Sequence, residues 1–288
     1  MKKATRILSI LLVAVMLLAV LSACSKKNDD TPASPNTSGD NAETPSNSTE
    51  PEDSPSPAKV YKLATDTVFA PFEFTDNSGK FVGIDVELLA AIAEDQGFEY
   101  ELTALGFDAA LTAVQSGEAD GMIAGMSIND ERKQTYDFSE PYYDSGVVVA
   151  TAAANDLTIG ENTDDPYAAL TDKTIAVKTG TEGAKFAESI KDQYNLTLSY
   201  YDDSAYMYEA VITGDAFACV EDYPVMGYNI SNGNGLKMVG DMVRGSSYGF
   251  AVLKGKSPEL IEMFNAGLAN LKNSGAYQEI LDKYIAKS

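Results

Sequence analysis

The sequence contains no histidine and no tryptophan, only two cysteines, and 21 basic residues against 43 acidic ones. Without imidazole there is no Ser-His-Asp or Cys-His nucleophile and no histidine metal site. A formal net charge of -22 at pH 7 is the reverse of the basic face that nucleic acid demands. It also argues against polybasic adhesion to anionic lipid. Gly-rich phosphate loops of the two common types are missing as well, and no metal or cofactor is implied. The acidity fits a soluble, surface-exposed protein and says little about fold.

Long apolar runs are missing too, except at the N-terminus. Residues 1–23 read as an export signal: Lys2, Lys3 and Arg6 form the charged region and residues 7–20 the apolar one. That run is short of the roughly 20 residues a membrane span needs. Leu21-Ser22-Ala23-Cys24 resembles a lipoprotein signal box, in which cleavage precedes a lipid-bearing cysteine. Lipidation at Cys24 would leave Cys219 with no disulfide partner, so Cys219 is expected to be a small buried hydrophobe. Residues 24–58, rich in Ser, Pro, Thr, Asn, Asp and Glu, cannot bury enough apolar surface to offset ordering entropy. They are expected to form a disordered tether.

From Lys59 onward, strand and helix signals alternate. Residues 60–65, 121–124, 174–178, 217–221 and 248–253 read as strands. Residues 84–96 read as a helix, with Asp85 as a possible cap, apolar spacing at Val86, Leu89, Ala90, Ile92 and Ala93, and Gly97 as its stop. A second helix spans 108–116, capped by Asp108 and ended by Gly117. Ser257-Pro258 starts another, through a capping hydroxyl and a proline in the first turn; it ends near Gly275, and 277–286 makes the last. This alternation argues for an α/β architecture with mainly parallel sheets. About 230 residues suffice for one or two domains.

The most informative stretch is 124–132, AGMSINDER. It offers a turn after a short strand, a hydroxyl at Ser127 and a guanidinium at Arg132, the group that grips a carboxylate through two parallel hydrogen bonds. Alone, it reads more readily as a charged helix start. Three separated motifs give it company: ATDTVFAPFEF at 64–74, AGMSINDERKQTYDFSEPYY at 124–143 and VKTGTEG at 177–183. Together they resemble the polar amino-acid-binding branch of the bacterial ABC-importer solute-binding proteins.

The resemblance implies a two-lobed periplasmic-binding-protein type II fold with a two-strand hinge. Lobe 1 would comprise 59–143 and 247–288, and lobe 2 144–246. It implies that Arg132 and Ser127 clamp the ligand carboxylate, with amides of Ser127 and of Glu182 in the Thr181-Glu182 turn as additional donors. The Glu182 side chain departs from the family, which often has a small residue there. Asp222, in Glu221-Asp222-Tyr223-Pro224, aligns with the acidic ligand of the ammonium, and the Gly125 carbonyl, next to Ala124, is a further acceptor. Read without the family, Asp222 is a helix cap. Asp66, Phe69, Phe107 and Lys178 align with the positions around the ligand side chain; without the resemblance the two phenylalanines read equally well as core.

An acid and a base around one pocket suit a neutral donor–acceptor group. Glutamine is therefore the first expectation, with a basic amino acid or cystine next. The resemblance implies an exported, lipid-anchored monomer on the outer face of the cell membrane. It would deliver a free L-amino acid to an ABC permease and its ATPase. The alternative is an enzyme on the same scaffold, dehydratase-like, with Glu182 or Glu221 as the only candidates for the acid–base carboxylate.

Overall fold

A computed structural model describes residues 59–158 and 165–285; the export signal, the tether, Cys24 and residue 286 of the last expected helix lie outside them. In chain order the elements are β1 (Val60–Thr65), β2 (Phe74–Thr75), β3 (Phe81–Val82), α1 (Ile84–Gln96), β4 (Glu99–Ala104), α2 (Phe107–Ser116), β5 (Gly121–Met122), β6 (Tyr136–Phe138) and β7 (Tyr143–Ala152). There follow β8 (Thr174–Lys178), α3 (Glu182–Lys191), β9 (Thr197–Tyr201), α4 (Ser204–Thr213), β10 (Ala218–Asp222), α5 (Tyr223–Ser231), β11 (Leu236–Tyr248), β12 (Ala251–Leu253), α6 (Pro258–Ser274) and α7 (Ala276–Tyr284).

The strands form two five-stranded sheets, ordered β4-β1-β5-β12-β6 and β11-β7-β10-β8-β9. Each has a parallel run of three strands, β4-β1-β5 and β10-β8-β9. The remaining pairings are antiparallel, so the sheets are mixed, with the parallel part confined to the strands that helices connect. Successive strand residues point to opposite faces, and helices cover both faces of each sheet. In the first sheet Leu63 packs with Leu88, Leu89 and Ile92 of α1 and Phe264 and Leu268 of α6, while Ala64 packs with Ala110 and Val114 of α2. In the second, Val177 faces Ala184 and Phe186 of α3, and Ala176 faces Met207 and Val211 of α4. Truncating a fully buried leucine such as Leu88 to alanine would cost about 2–5 kcal/mol.

β7 and β11 of the second sheet run antiparallel, from Leu236 beside Ala152 to Tyr248 beside Tyr143, with register shifts between Val239 and Ser246. These irregularities bend the two-strand connection. Its far end is fixed in the first lobe, where Tyr248 bridges to Ser127 and packs against Phe72 and Tyr142.

Several expected helix caps are corrected. α1 begins after Gly83, and Asp85 is no cap: its carboxylate accepts from the Gly125 N–H at 2.9 Å and the Tyr142 hydroxyl at 2.7 Å. Ala90 is exposed, and Leu88 takes the core position instead. α2 starts at Phe107 after Gly106, so Asp108 lies inside its first turn. Ser257 precedes α6 with a left-handed φ of 45° and makes no side-chain cap; its carbonyl accepts from Leu260 N–H instead. The strand expected at 248–253 is split, because Tyr248 ends β11 and the chain turns before Ala251.

Candidate functional site

Four strands bring their carboxyl ends to one recess, where open α/β sheets gather ligands. Asp66 follows β1, the 124–127 loop follows β5, Lys178 ends β8 and Asp222 ends β10. The recess is lined by Asp66, Phe69, Phe107, Ala124, Gly125, Ser127, Arg132, Lys178, Thr181, Glu182 and Asp222. All eleven residues expected from the sequence therefore meet in one place.

Local chemistry explains how the loops hold their shape. Gly125 has φ 53°, and a Cβ there would lie 2.4 Å from the Phe69 ring, so only glycine lets the loop run under that ring. At the other wall Thr181 caps α3, its hydroxyl accepting from Ala184 N–H at 3.2 Å. Helix α3 thus points its N-terminal amides and positive dipole end at the recess, an arrangement that favours an anion. Gly183, in the first turn, has its Cβ direction 2.8 Å from the Val220 carbonyl, which brings α3 close against β10.

Arg132 is buried, its guanidinium 5.3 Å from the Phe107 ring centre. It donates to the Ser127 carbonyl at 2.8 Å and to the Gly180 carbonyl at 3.0 Å, one partner from each lobe. Burial lowers its pKa while Glu182 and Asp222 oppose the shift; an arginine keeps its charge regardless. Asp222 is also buried; it stands at the N-cap position of α5, but its side chain makes no cap hydrogen bond. Its carboxylate accepts from the Tyr248 hydroxyl at 2.5 Å. Burial, then the neighbouring Glu221, raises its pKa to about 7, against the pull of Tyr248 and Arg132.

Lys178 and Asp66 form an ion pair between the lobes, with side chains 2% exposed on each side. The lysine does not reach solvent; its ammonium lies 5.1 Å from the Phe69 ring centre. Burial pulls its pKa down, but Asp66 and Glu221 outweigh it and the net shift is upward, so it is charged. Glu221 accepts from Ser204 at 2.9 Å, Tyr208 at 2.7 Å and the Asp222 N–H at 2.9 Å.

Three supporting groups escaped sequence reading. Tyr248 reads only as a strand residue, yet its hydroxyl holds Asp222. Asp85 reads as a cap, yet it holds Gly125. Glu73 sits beside Asp85 under the same loop, and burial with that second carboxyl raises its pKa well above the usual range. The available signal was a carboxylate inside an apolar run, Phe72-Glu73-Phe74 and Ile84-Asp85-Val86: an acid there is either exposed by alternation or paired in the interior.

Comparison with known proteins agrees with this architecture. Residues 61–287 match the bacterial extracellular solute-binding proteins, family 3, and the chain belongs to that family. It is 29% identical over 235 residues to the probable histidine-binding protein of Neisseria gonorrhoeae, covering 80% of this chain and 85% of that one. Among solved structures, the second substrate-binding domain of Lactococcus lactis GlnP, in its open conformation, is 42% identical over 81% of this chain and 98% of that one, with a TM-score of 0.53. An ancestral arginine-binding protein, solved bound to glutamine and to arginine, is 32% identical over 79% of this chain and 98% of that one, with a TM-score of 0.71. The fold is that of the type II periplasmic binding proteins.

Proposed function

We propose that this solute-binding protein captures a polar L-amino acid for an ABC importer, holding the zwitterion between Arg132 and Asp222. The observation that carries the reading is that a guanidinium from the first lobe and a carboxylate from the second line the same buried recess. A dry cleft must match both ligand charges, since an unpaired one is costly. Arg132, Ser127 and the α3 amides suit the carboxylate; Asp222 and the Gly125 carbonyl suit the ammonium. Lobe 1 then comprises 59–143 with 247–288 and lobe 2 144–246, as the sequence suggests, joined through β7 and β11. Cys24 carries the lipid that tethers the exported protein to the membrane.

Glutamine is the preferred ligand in this reading. The Asp66–Lys178 pair is an acid beside a base, so a carboxamide can donate to one and accept from the other, whereas Lys178 repels a cationic side chain. The ancestral relative bound to glutamine supports a carboxamide on this scaffold, which in that protein also holds arginine. Conformation fits as well. The open Lactococcus domain superposes less closely than the ancestral protein despite its higher identity, as expected when lobes of similar sequence are rotated apart.

The enzyme alternative is the weaker reading. Glu221 is committed to Ser204, Tyr208 and the Asp222 amide, and Glu182 to Asn129 at 2.5 Å, so neither carboxylate is disposed as a general base. A thermal-shift screen over the standard amino acids, ornithine, citrulline and cystine tests the proposal. Glutamine should give the largest rise in melting temperature. A larger rise with arginine or histidine would overturn the choice of ligand, and no rise with any amino acid would overturn the function.

A further inference from the structure

Glu182 poses a problem for the proposed clamp. It is the first residue of α3, where its backbone amide faces a bound carboxylate and its own negative charge opposes one. Its side chain, however, is drawn sideways across the mouth of the cleft. Glu182 Oε1 accepts from Asn129 Nδ2 of the other lobe at 2.5 Å and lies 4.0 Å from Lys185 Nζ. Lys185 in turn reaches Glu131 of the first lobe at 2.8 Å. Asn129 is not free to wander: its Oδ1 accepts from the Arg132 N–H at 2.7 Å, and its backbone carbonyl accepts from Lys133 N–H at 3.0 Å. One face of this amide therefore fixes the turn that presents Arg132, while the other points at the opposite lobe.

We infer that Asn129, Glu131 and Lys185 form a latch that sets ligand affinity without touching the ligand. The inference rests on the amino-acid-capture reading above. The latch works in two ways. It adds contacts that exist only when the lobes meet, so it biases the open–closed equilibrium toward the form that binds. It also turns the Glu182 charge away from the ligand carboxylate and sets an amide and an ammonium against it. A bound amino acid and the latch thus favour the same arrangement, and weakening the latch raises the dissociation rate of every ligand by one common factor.

The test uses titration calorimetry and stopped-flow kinetics on the full exported domain with several amino acids, the wild type being measured first. Asn129→Asp keeps the acceptor for Arg132 but sets a carboxylate against Glu182. It should weaken all ligands by about tenfold or more, mainly through faster dissociation, with the ligand-free melting temperature unchanged. Adding Glu182→Gln, which restores one donor and one acceptor at the wild-type charge, should return affinity to within about threefold. Glu131→Gln should cost about two- to fivefold, and less at high salt. Failure of the double variant to recover, or losses that differ between ligands, would overturn the latch. A wild type that binds no amino acid would instead overturn the functional reading, and the latch with it.

Discussion

Two lysine–carboxylate contacts cross the same gap between the same two lobes, yet they are different objects. Lys178–Asp66 lies at the base of the recess, 2% exposed on both sides, whereas Lys185–Glu131 lies at its mouth, 27% and 74% exposed. At the mouth, water screens the charges and the pair is worth about 1 kcal/mol or less. At the base, neither charge is hydrated, so each depends on the other, and removing one leaves an uncompensated ion in the interior. Burial, rather than the presence of a pair, decides what a contact does: in the proposed reading the inner pair governs which side chain fits, and the outer one governs how long the lobes stay together.

The largest effect should follow from breaking the inner pair. Lys178→Met leaves Asp66 buried and alone, and should destabilise the protein by about 3–5 kcal/mol in urea unfolding. Adding Asp66→Asn removes the orphaned charge and should recover most of that loss, while shifting ligand preference away from carboxamides. Loss from the single variant no larger than from Glu131→Gln would erase the contrast.

An intermediate effect should come from pH. Asp222 must be ionised to hold an ammonium, and burial raises its pKa to about 7. Affinity should therefore fall about tenfold per unit as pH drops below about 7 and level off above it, with a proton released on binding near neutrality. The sign for folding is opposite. The raised pKa favours the protonated native form, so the ligand-free protein loses stability as pH rises from the ordinary carboxylate range toward 7. Titrations in buffers of different ionisation enthalpy would measure the proton; a flat affinity from pH 5.5 to 8 would contradict the assignment. The smallest effect is the salt-sensitive one at the rim pair.

Much of this was legible in the sequence because the informative residues are local. β1, α1, β8 and the site loops stand where alternation, helical spacing and left-handed glycines put them, as with Gly97 and Gly117. Caps were read worst. Asp85 and Asp108 look like caps because short polar residues precede apolar runs, but glycines at 83 and 106 do that work, and Asp85 is drawn inward by Gly125 and Tyr142. Contacts between distant segments leave no local mark: nothing near Tyr248 announces Asp222, 26 positions earlier. The antiparallel strands at the side of each parallel run leave no local mark for a similar reason, since strand direction depends on where the chain returns, as β12 does beside β5.

The central claim is that opposite ends of one small molecule are gripped by Arg132 and Asp222. Its most direct test removes each end from the ligand itself: calorimetric titration with glutamine, with the analogue lacking the α-carboxylate and with the analogue lacking the α-amino group, on wild type and on Arg132→Ala. On the wild type both analogues should bind at least about a hundredfold more weakly than glutamine. On Arg132→Ala glutamine should fall to the level of its decarboxylated analogue. If the decarboxylated analogue binds the wild type as tightly as glutamine, or Arg132→Ala binds glutamine normally, the clamp does not exist.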